Sequence, residues 1–193
     1  MPPLPAEEFL PIAEEVVRDA DPASVHETIV AHHEVTLIVD RTNIVEIIRR
    51  LKTDERTRLN ALVDVNAIDW FEEGRVPRFD VVYHLFSYFT HNRLRLRCPV
   101  SEAPGQNNID SICELWSGAN FMERETFDMF GIVFNNHPDL CRILMPDNWE
   151  GHPLRKDFPL GGSESFYYKQ DTHEYAGEPN DLVPRIRVQE SDI

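Results

Sequence analysis

Residues able to do chemistry concentrate between positions 121 and 158. Glu123, Glu125 and Asp128 supply carboxyls, His137 and His152 imidazoles, and Arg142, Arg155 and Lys156 cations. Glu123 and Glu125 with either histidine could serve general acid–base work if their pKa values were tuned. The adjacent pair His32-His33 and the two His-Pro pairs, His137-Pro138 and His152-Pro153, raise the question of a metal site. The surrounding pattern opposes both readings. No Ser, Cys or Thr lies in a nucleophile motif, no G-x-G-x-x-G or phosphate loop occurs, and each candidate carboxylate has a basic residue nearby. Adjacent histidines on a strand would point to opposite sides, and His137 with His152 lack a carboxylate or thiolate at a zinc spacing. Cys98, Cys113 and Cys141 stand far apart with no C-x-x-C, whereas an iron–sulfur cluster takes four thiolates at tight spacing. The cysteines are expected to be reduced and buried, the histidines backbone-bonded or helix-capping, and the chain free of catalytic, cofactor and metal sites.

The stretch that carries these groups mixes them with large apolar residues. At about 100° per residue, Phe121, Met122, Phe127, Met129 and Phe130 spread around most of a helix, so several sides are buried. Glu123 projects between Phe127 and Phe130, where an unpaired carboxylate is costly. Asn120 precedes Glu123 with capping-box spacing and Gly131 suits a C-terminal cap. Glu123 therefore either caps its own helix, binds a later arginine, or does both. From Asn135 the periodicity fades, and Pro138, Pro146, Pro153 and Pro159 enforce an extended chain that must find backbone partners. Arg142 is expected to pair with the acids of the 121–130 helix, and His152, Arg155, Lys156 and Asp157 to face a neighbouring protein.

Upstream elements must hold this segment. Glu34 to Asp40 and Ala61 to Trp70 read as strands, with a helix between them whose Ile44, Ile47, Ile48 and Leu51 form one apolar stripe behind an Asn43–Glu46 capping box. Asp80–Thr90 and Arg93–Val100 read as an antiparallel hairpin around His91-Asn92, with Leu94 beside Phe89, Leu96 beside Ser87 and Cys98 beside Leu85 on the core face. Arg95 and Arg97 lie on the other face over aromatics, as a solvated face or a protein contact. Ser111-x-x-Glu114 offers a capping box for a short helix toward Trp116. Residues 5–20 read as an acidic helix interrupted by Pro11.

The expected fold is α/β (α+β): a mixed sheet with an antiparallel hairpin, helices packed on it, and an extended irregular C-terminal arm. Four segments follow: an acidic helical segment 1–30, an α/β domain 31–134, a proline-rich docking strap 135–160, and an arm 161–193. The arm carries seven acids against Lys169, Arg185 and Arg187, with Phe166, Tyr167, Tyr168 and Tyr175 as anchors for another protein. Hydrophobic residues at 41% and charged residues at 27% suit a globular chain, and no apolar run approaches the roughly 20 residues that span a bilayer. The acidic N-terminus reads as neither secretory signal nor transit peptide. A net charge of -15 works against binding nucleic acid or anionic lipid.

Glu123-Arg124-Glu125, Asp128, Phe130-Gly131-Ile132, His137-Pro138, Leu140, Arg142-Ile143-Leu144 and His152-Pro153-Leu154-Arg155-Lys156-Asp157-Phe158-Pro159 together resemble one family. It is the C subunit of the peripheral arm of respiratory complex I, the proton-pumping NADH:quinone oxidoreductase. The match is dense over about 40 residues and looser from about residue 30 to 120; Phe121 departs from the family's usual Trp, which changes packing volume and removes an indole donor. The resemblance implies a cofactor-free scaffold beside the D, B and I subunits in a hetero-oligomer, with no membrane span of its own. It also implies a place on the cytoplasmic face of the inner (plasma) membrane, through the complex, in which FMN and iron–sulfur clusters carry electrons from NADH to quinone. Glu123, Arg124, Glu125, Asp128, Gly131, His137, Pro138 and Arg142 are its motif residues; His152, Arg155, Lys156, Asp157, Tyr167 and Tyr168 are the expected subunit interface. A membrane-bound hydrogenase or other-donor complex, or an unrelated acidic interaction module, are the alternatives.

Overall fold

The structure is a computed structural model that describes residues 2–158, 167–169 and 174–176. Its centre is a five-stranded mixed sheet in the order β1-β2-β5-β4-β3, formed by β1 (Val25–Ala31), β2 (Glu34–Val39), β3 (Ala61–Asp69), β4 (Phe79–Phe86) and β5 (Arg93–Val100). β2 and β5 run parallel; the other neighbours are antiparallel. Helices α1 (Ala6–Ala20), α2 (Ile44–Thr53) and α3 (Ala119–Phe130) share one apolar core with the sheet. The α+β reading with a mixed sheet and a hairpin therefore stands. Short strands β6 (Asn108–Asp110) and β7 (Val133–Asn135) pair in parallel, and β8 (Tyr167–Lys169) pairs antiparallel with β9 (Glu174–Ala176). The rest of the expected 161–193 arm lies outside the described residues.

Local pattern explains the best-read elements. The α2 stripe is fully buried at Ile44, Ile47, Ile48 and Leu51, and β5 alternates with Leu94, Leu96, Cys98 and Val100 turned inward. Among the described residues no helix is long and apolar enough to cross a membrane.

Several local expectations are corrected. α1 runs through Pro11, because that proline sits on the exposed side while Phe9, Ala13, Val16 and Val17 anchor the buried one. Burial outweighs the missing hydrogen bond, whose orphaned carbonyl can face water. Residues 25–31 form a strand and not a helical segment, and His32-His33 is its turn, with φ of 52° and 62°. The Asn43–Glu46 box does not form: Asn43 donates to Asp21 and Glu46 binds Arg49 and Arg50. The hairpin register shifts by four residues, to Leu94 opposite Leu85, Leu96 opposite Tyr83 and Cys98 opposite Val81. Its connection spans residues 87–92 because Ser87 Oγ accepts the N–H groups of Phe89 and Thr90 and rolls the chain into a wider turn.

Candidate docking site

α3 is the post on which the candidate residues hang. Gly131 ends it in the left-handed region at φ 76°, donating its N–H to Phe127 at 2.8 Å. A side chain here would be strained, and its Cβ would lie 2.5 Å from His152 Nε2 and 2.7 Å from Arg155 Nη2. The strap thus packs on the one residue type that leaves it room.

Glu123 is completely buried on α3, yet it does not cap that helix; Gly118 is the N-cap and makes no side-chain cap bond. Its carboxyl faces upstream instead. Ile112 N–H donates to Oε1 at 2.8 Å, Ser111 Oγ to Oε2 at 2.6 Å, and Cys113 Sγ lies 3.4 Å from Oε2. The expected Ser111 helix is absent, since Ser111 serves Glu123 and accepts Cys113 N–H. Burial pushes the Glu123 carboxyl above its ordinary value despite these donors.

That shift has a measurable sign. A carboxyl whose folded pKa is raised stabilises the fold fully below its unfolded pKa of about 4.3, and the contribution is lost as pH rises through the folded value. Glu123→Gln keeps an acceptor for Ile112 without that loss. Chemical denaturation from about pH 4 to pH 8 should therefore show the variant gaining on the wild-type chain as pH rises; parallel curves would rule the account out.

Cys113, Glu123 and His137 bring ligand-type atoms within 4.8 Å of one another, a grouping that spacing along the chain does not reveal. All three are engaged in hydrogen bonds within the fold. His137 Nδ1 accepts Asp139 N–H at 3.0 Å, which leaves the ring proton on Nε2, 3.2 Å from Asn120 O and 3.9 Å from Glu123 Oε2. A ligand would need that lone pair free. The Cys113 thiol, pushed up to about 11 chiefly by burial, is directed at Glu123 Oε2. Glu123 itself is fully buried. Cavities of about 480 Å³ near Phe9 and His91, and about 350 Å³ beside Asn66 and Arg97, include none of Glu123, Glu125, His137 or His152.

Asp128, five residues on from Glu123 and equally buried, organises the strap. Three successive amides, Ile143, Leu144 and Met145, donate to its Oδ2 at 3.1, 2.8 and 2.8 Å, and Arg142 Nη1 binds Oδ1 at 2.6 Å. Burial alone would raise this carboxyl; the amides of Met145, Leu144 and Ile143 and the Arg142 guanidinium overcome it and hold the group below its ordinary value. Arg142 thus pairs within its own chain as expected. Arg124 bonds the carbonyls of Cys141 and Arg142, and His152 Nδ1 lies 3.0 Å from Asp128 O. Pro138 is exposed, and so is Glu125, which makes no hydrogen bond or ion pair among the described residues.

The far end of the strap closes on Arg78, a residue with no motif around it. Its guanidinium grips both oxygens of Asp69 at 2.8 Å and reaches Glu102 at 2.8 Å and Asp157 at 2.6 Å. Phe71 and Phe79 lie against it, and Lys156 N–H donates to Asp69 Oδ2 at 2.9 Å. Arg155 also turns inward, donating Nε–H to Phe130 O at 2.6 Å and lying over Phe79. Of the expected interface cations, Lys156 is the one left facing outward. Tyr167 and Tyr168 belong to β8.

Similarity to known proteins decides the family. The family described as "Respiratory-chain NADH dehydrogenase, 30 Kd subunit" matches residues 37–164. The chain belongs to that family. The C subunit of NADH-quinone oxidoreductase from Geotalea uraniireducens (strain Rf4) is 49% identical over 136 residues, covering 70% of this chain and 79% of that protein. The namesake from Rhodopseudomonas palustris (strain BisB18) is 41% identical over 173 residues, 90% of this chain and 84% of that one. The solved trypsin-resistant fragment of Nqo5 (1-134) superposes with TM-score 0.58 at 28% identity, covering 70% of this chain and 99% of the fragment. A chain of the membrane-bound sulfane sulfur reductase (MBS), an archaeal respiratory membrane complex, shares the fold with TM-score 0.65 at 19% identity, over 79% and 86% of the two chains. The protein is thus a component of NADH-quinone oxidoreductase, complex I, as the motif resemblance implied. Family membership sets aside the unrelated acidic module, and nothing in these similarities favours a hydrogenase counterpart.

Proposed function

We propose that the protein is a non-catalytic scaffold of the complex I peripheral arm that holds neighbouring subunits in register. The observation that carries this reading is Asp128: a fully buried carboxylate given over to fixing three strap amides and Arg142. The chain's other acid–base candidates are likewise occupied in structure or lie open without partners. Electron transfer and quinone reduction demand fixed distances, and the cofactors carry the hard chemistry. FMN, iron–sulfur clusters and quinone then belong to the rest of the complex, with none held in this chain. The D, B and I subunits are the neighbours, on the cytoplasmic face of the inner membrane. The strap end, where Lys156 faces outward beside the intramolecularly engaged His152, Arg155 and Asp157, is the contact toward them, with Tyr167 and Tyr168 beyond it.

Depleting the chain tests the reading. Membranes should lose at least about tenfold of NADH:quinone activity while NADH oxidation by an artificial acceptor such as ferricyanide, which needs only the flavin end, persists. Unchanged quinone reduction in depleted membranes would refute the scaffold role. Turnover per assembled complex should also be unchanged in Glu125→Gln and Cys113→Ser; a loss there with assembly intact would overturn the non-catalytic half.

A further inference from the structure

Several exposed apolar side chains sit on α3 and on the strap hydrogen-bonded to it, on backbone that is already fixed. Four of the ten exposed large apolar side chains among the described residues lie here: Phe121 at 61%, Ile143 at 36%, Leu144 at 59% and Leu154 at 53% exposure. Their supports run along the length of one helix. Arg124 holds the carbonyls of residues 141 and 142, Asp128 the amides of 143 to 145, and Leu154 N–H donates to Met129 O at 3.1 Å. Ile143 and Leu144 are therefore displayed on a backbone that is already locked, which lowers the ordering cost of binding. Clustered apolar exposure with fixed geometry marks a contact surface.

The charges around it define the partner. Glu125, one turn from Phe121, is exposed with no cation attached, and Asp139 and Asp147 are exposed on the strap to either side of the locked residues. The nearby guanidinia do not compensate outward, because Arg124 serves carbonyls and Arg142, at 15% side-chain exposure, serves Asp128. We infer that this face docks another subunit of the complex, through an apolar depression on that subunit ringed by Lys and Arg. The inference rests on the scaffold reading above and gives it a second contact, apart from the strap end at Lys156.

Tagging a different subunit and isolating the complex in mild detergent tests it. Phe121→Glu and Leu144→Glu should each cut retention of the chain at least about tenfold, while Val63→Glu, equally exposed on β3, retains it. The double variant Glu125→Lys with Asp147→Lys should be poorly retained at low salt and recover at high salt, as repulsion between like charges is screened. Wild-type retention of the glutamate variants, or loss with Val63→Glu as well, overturns the assignment of the face; salt-independent, normal retention of the lysine variant overturns the basic rim. A photo-crosslinker at position 125 guards against misfolding: it should join the chain to another subunit, and capture within its own chain or none at all counts against the proposal. Failure of the wild-type chain itself to co-purify would strike the scaffold reading instead.

Discussion

Asp128→Ala is expected to cost roughly 3–5 kcal/mol, the range for removing one partner of a buried ion pair. The carboxylate is fully buried, so its loss strands the Arg142 guanidinium and three successive amides together. For a chain of this size the thermal midpoint should fall by roughly 6–20 °C, at about 2–4 °C per kcal/mol. Arg142→Ala should cost less, about 1–3 kcal/mol, because the carboxylate keeps its three amide donors. Acid titration supplies the second check. Because the folded carboxyl is held below its ordinary value, its contribution is present above the unfolded pKa of about 3.9 and lost as pH falls through the folded value. Wild type and Asp128→Asn should therefore converge in stability only in acid. An Asp128→Ala chain melting within about 2 °C of wild type would sink the idea that this residue organises the strap.

What is legible in the chain beforehand follows from how local each determinant is. The α2 stripe, the β5 alternation and the Gly131 cap depend on neighbours within a few residues, and each stands in the structure. Arg142 can be assigned to the α3 acids because proline-stiffened chain offers few other cations within reach. Glu123 is harder. Asn120 and Glu123 have capping-box spacing, but such spacing says nothing of a better set of donors folding in from Ser111 to Cys113. The hairpin register fails for a similar reason: two-residue turns are common, and only the Ser87 hydroxyl taking up two amides reveals the wider one. β1 escapes the pattern because its exposed face reads as polar segment and its turn is made by two histidines in the left-handed region, where Gly or Asn would have signalled it. Charge alone points Arg155 outward, whereas the open space above Gly131 draws it inward.

Arg78 gives no local signal at all, and its removal should be the other large effect. Its side chain is 7% exposed and that of Asp69 is 1%, so the bidentate pair is screened from water. Arg78→Met keeps an unbranched stem against Phe71 and Phe79 but leaves Asp69 with only the amides of Phe71 and Lys156. An uncompensated buried charge of this kind costs about 3–5 kcal/mol. Asp157 and Glu102 are 42% and 56% exposed, so Asp157→Asn should cost no more than about 1 kcal/mol and fade with salt. Adding Asp69→Asn to Arg78→Met should recover part of the loss, since the stranded charge is gone; that coupling separates the buried pair from simple packing. Urea denaturation at low and high salt would measure these three variants and the Asp69→Asn single that completes the cycle, and hydrogen exchange at residues 152 to 158 should quicken in Arg78→Met. Equal salt sensitivity for Arg78→Met and Asp157→Asn, or a cost under about 1 kcal/mol for the former, would show that the strap is held at its far end by something other than this arginine.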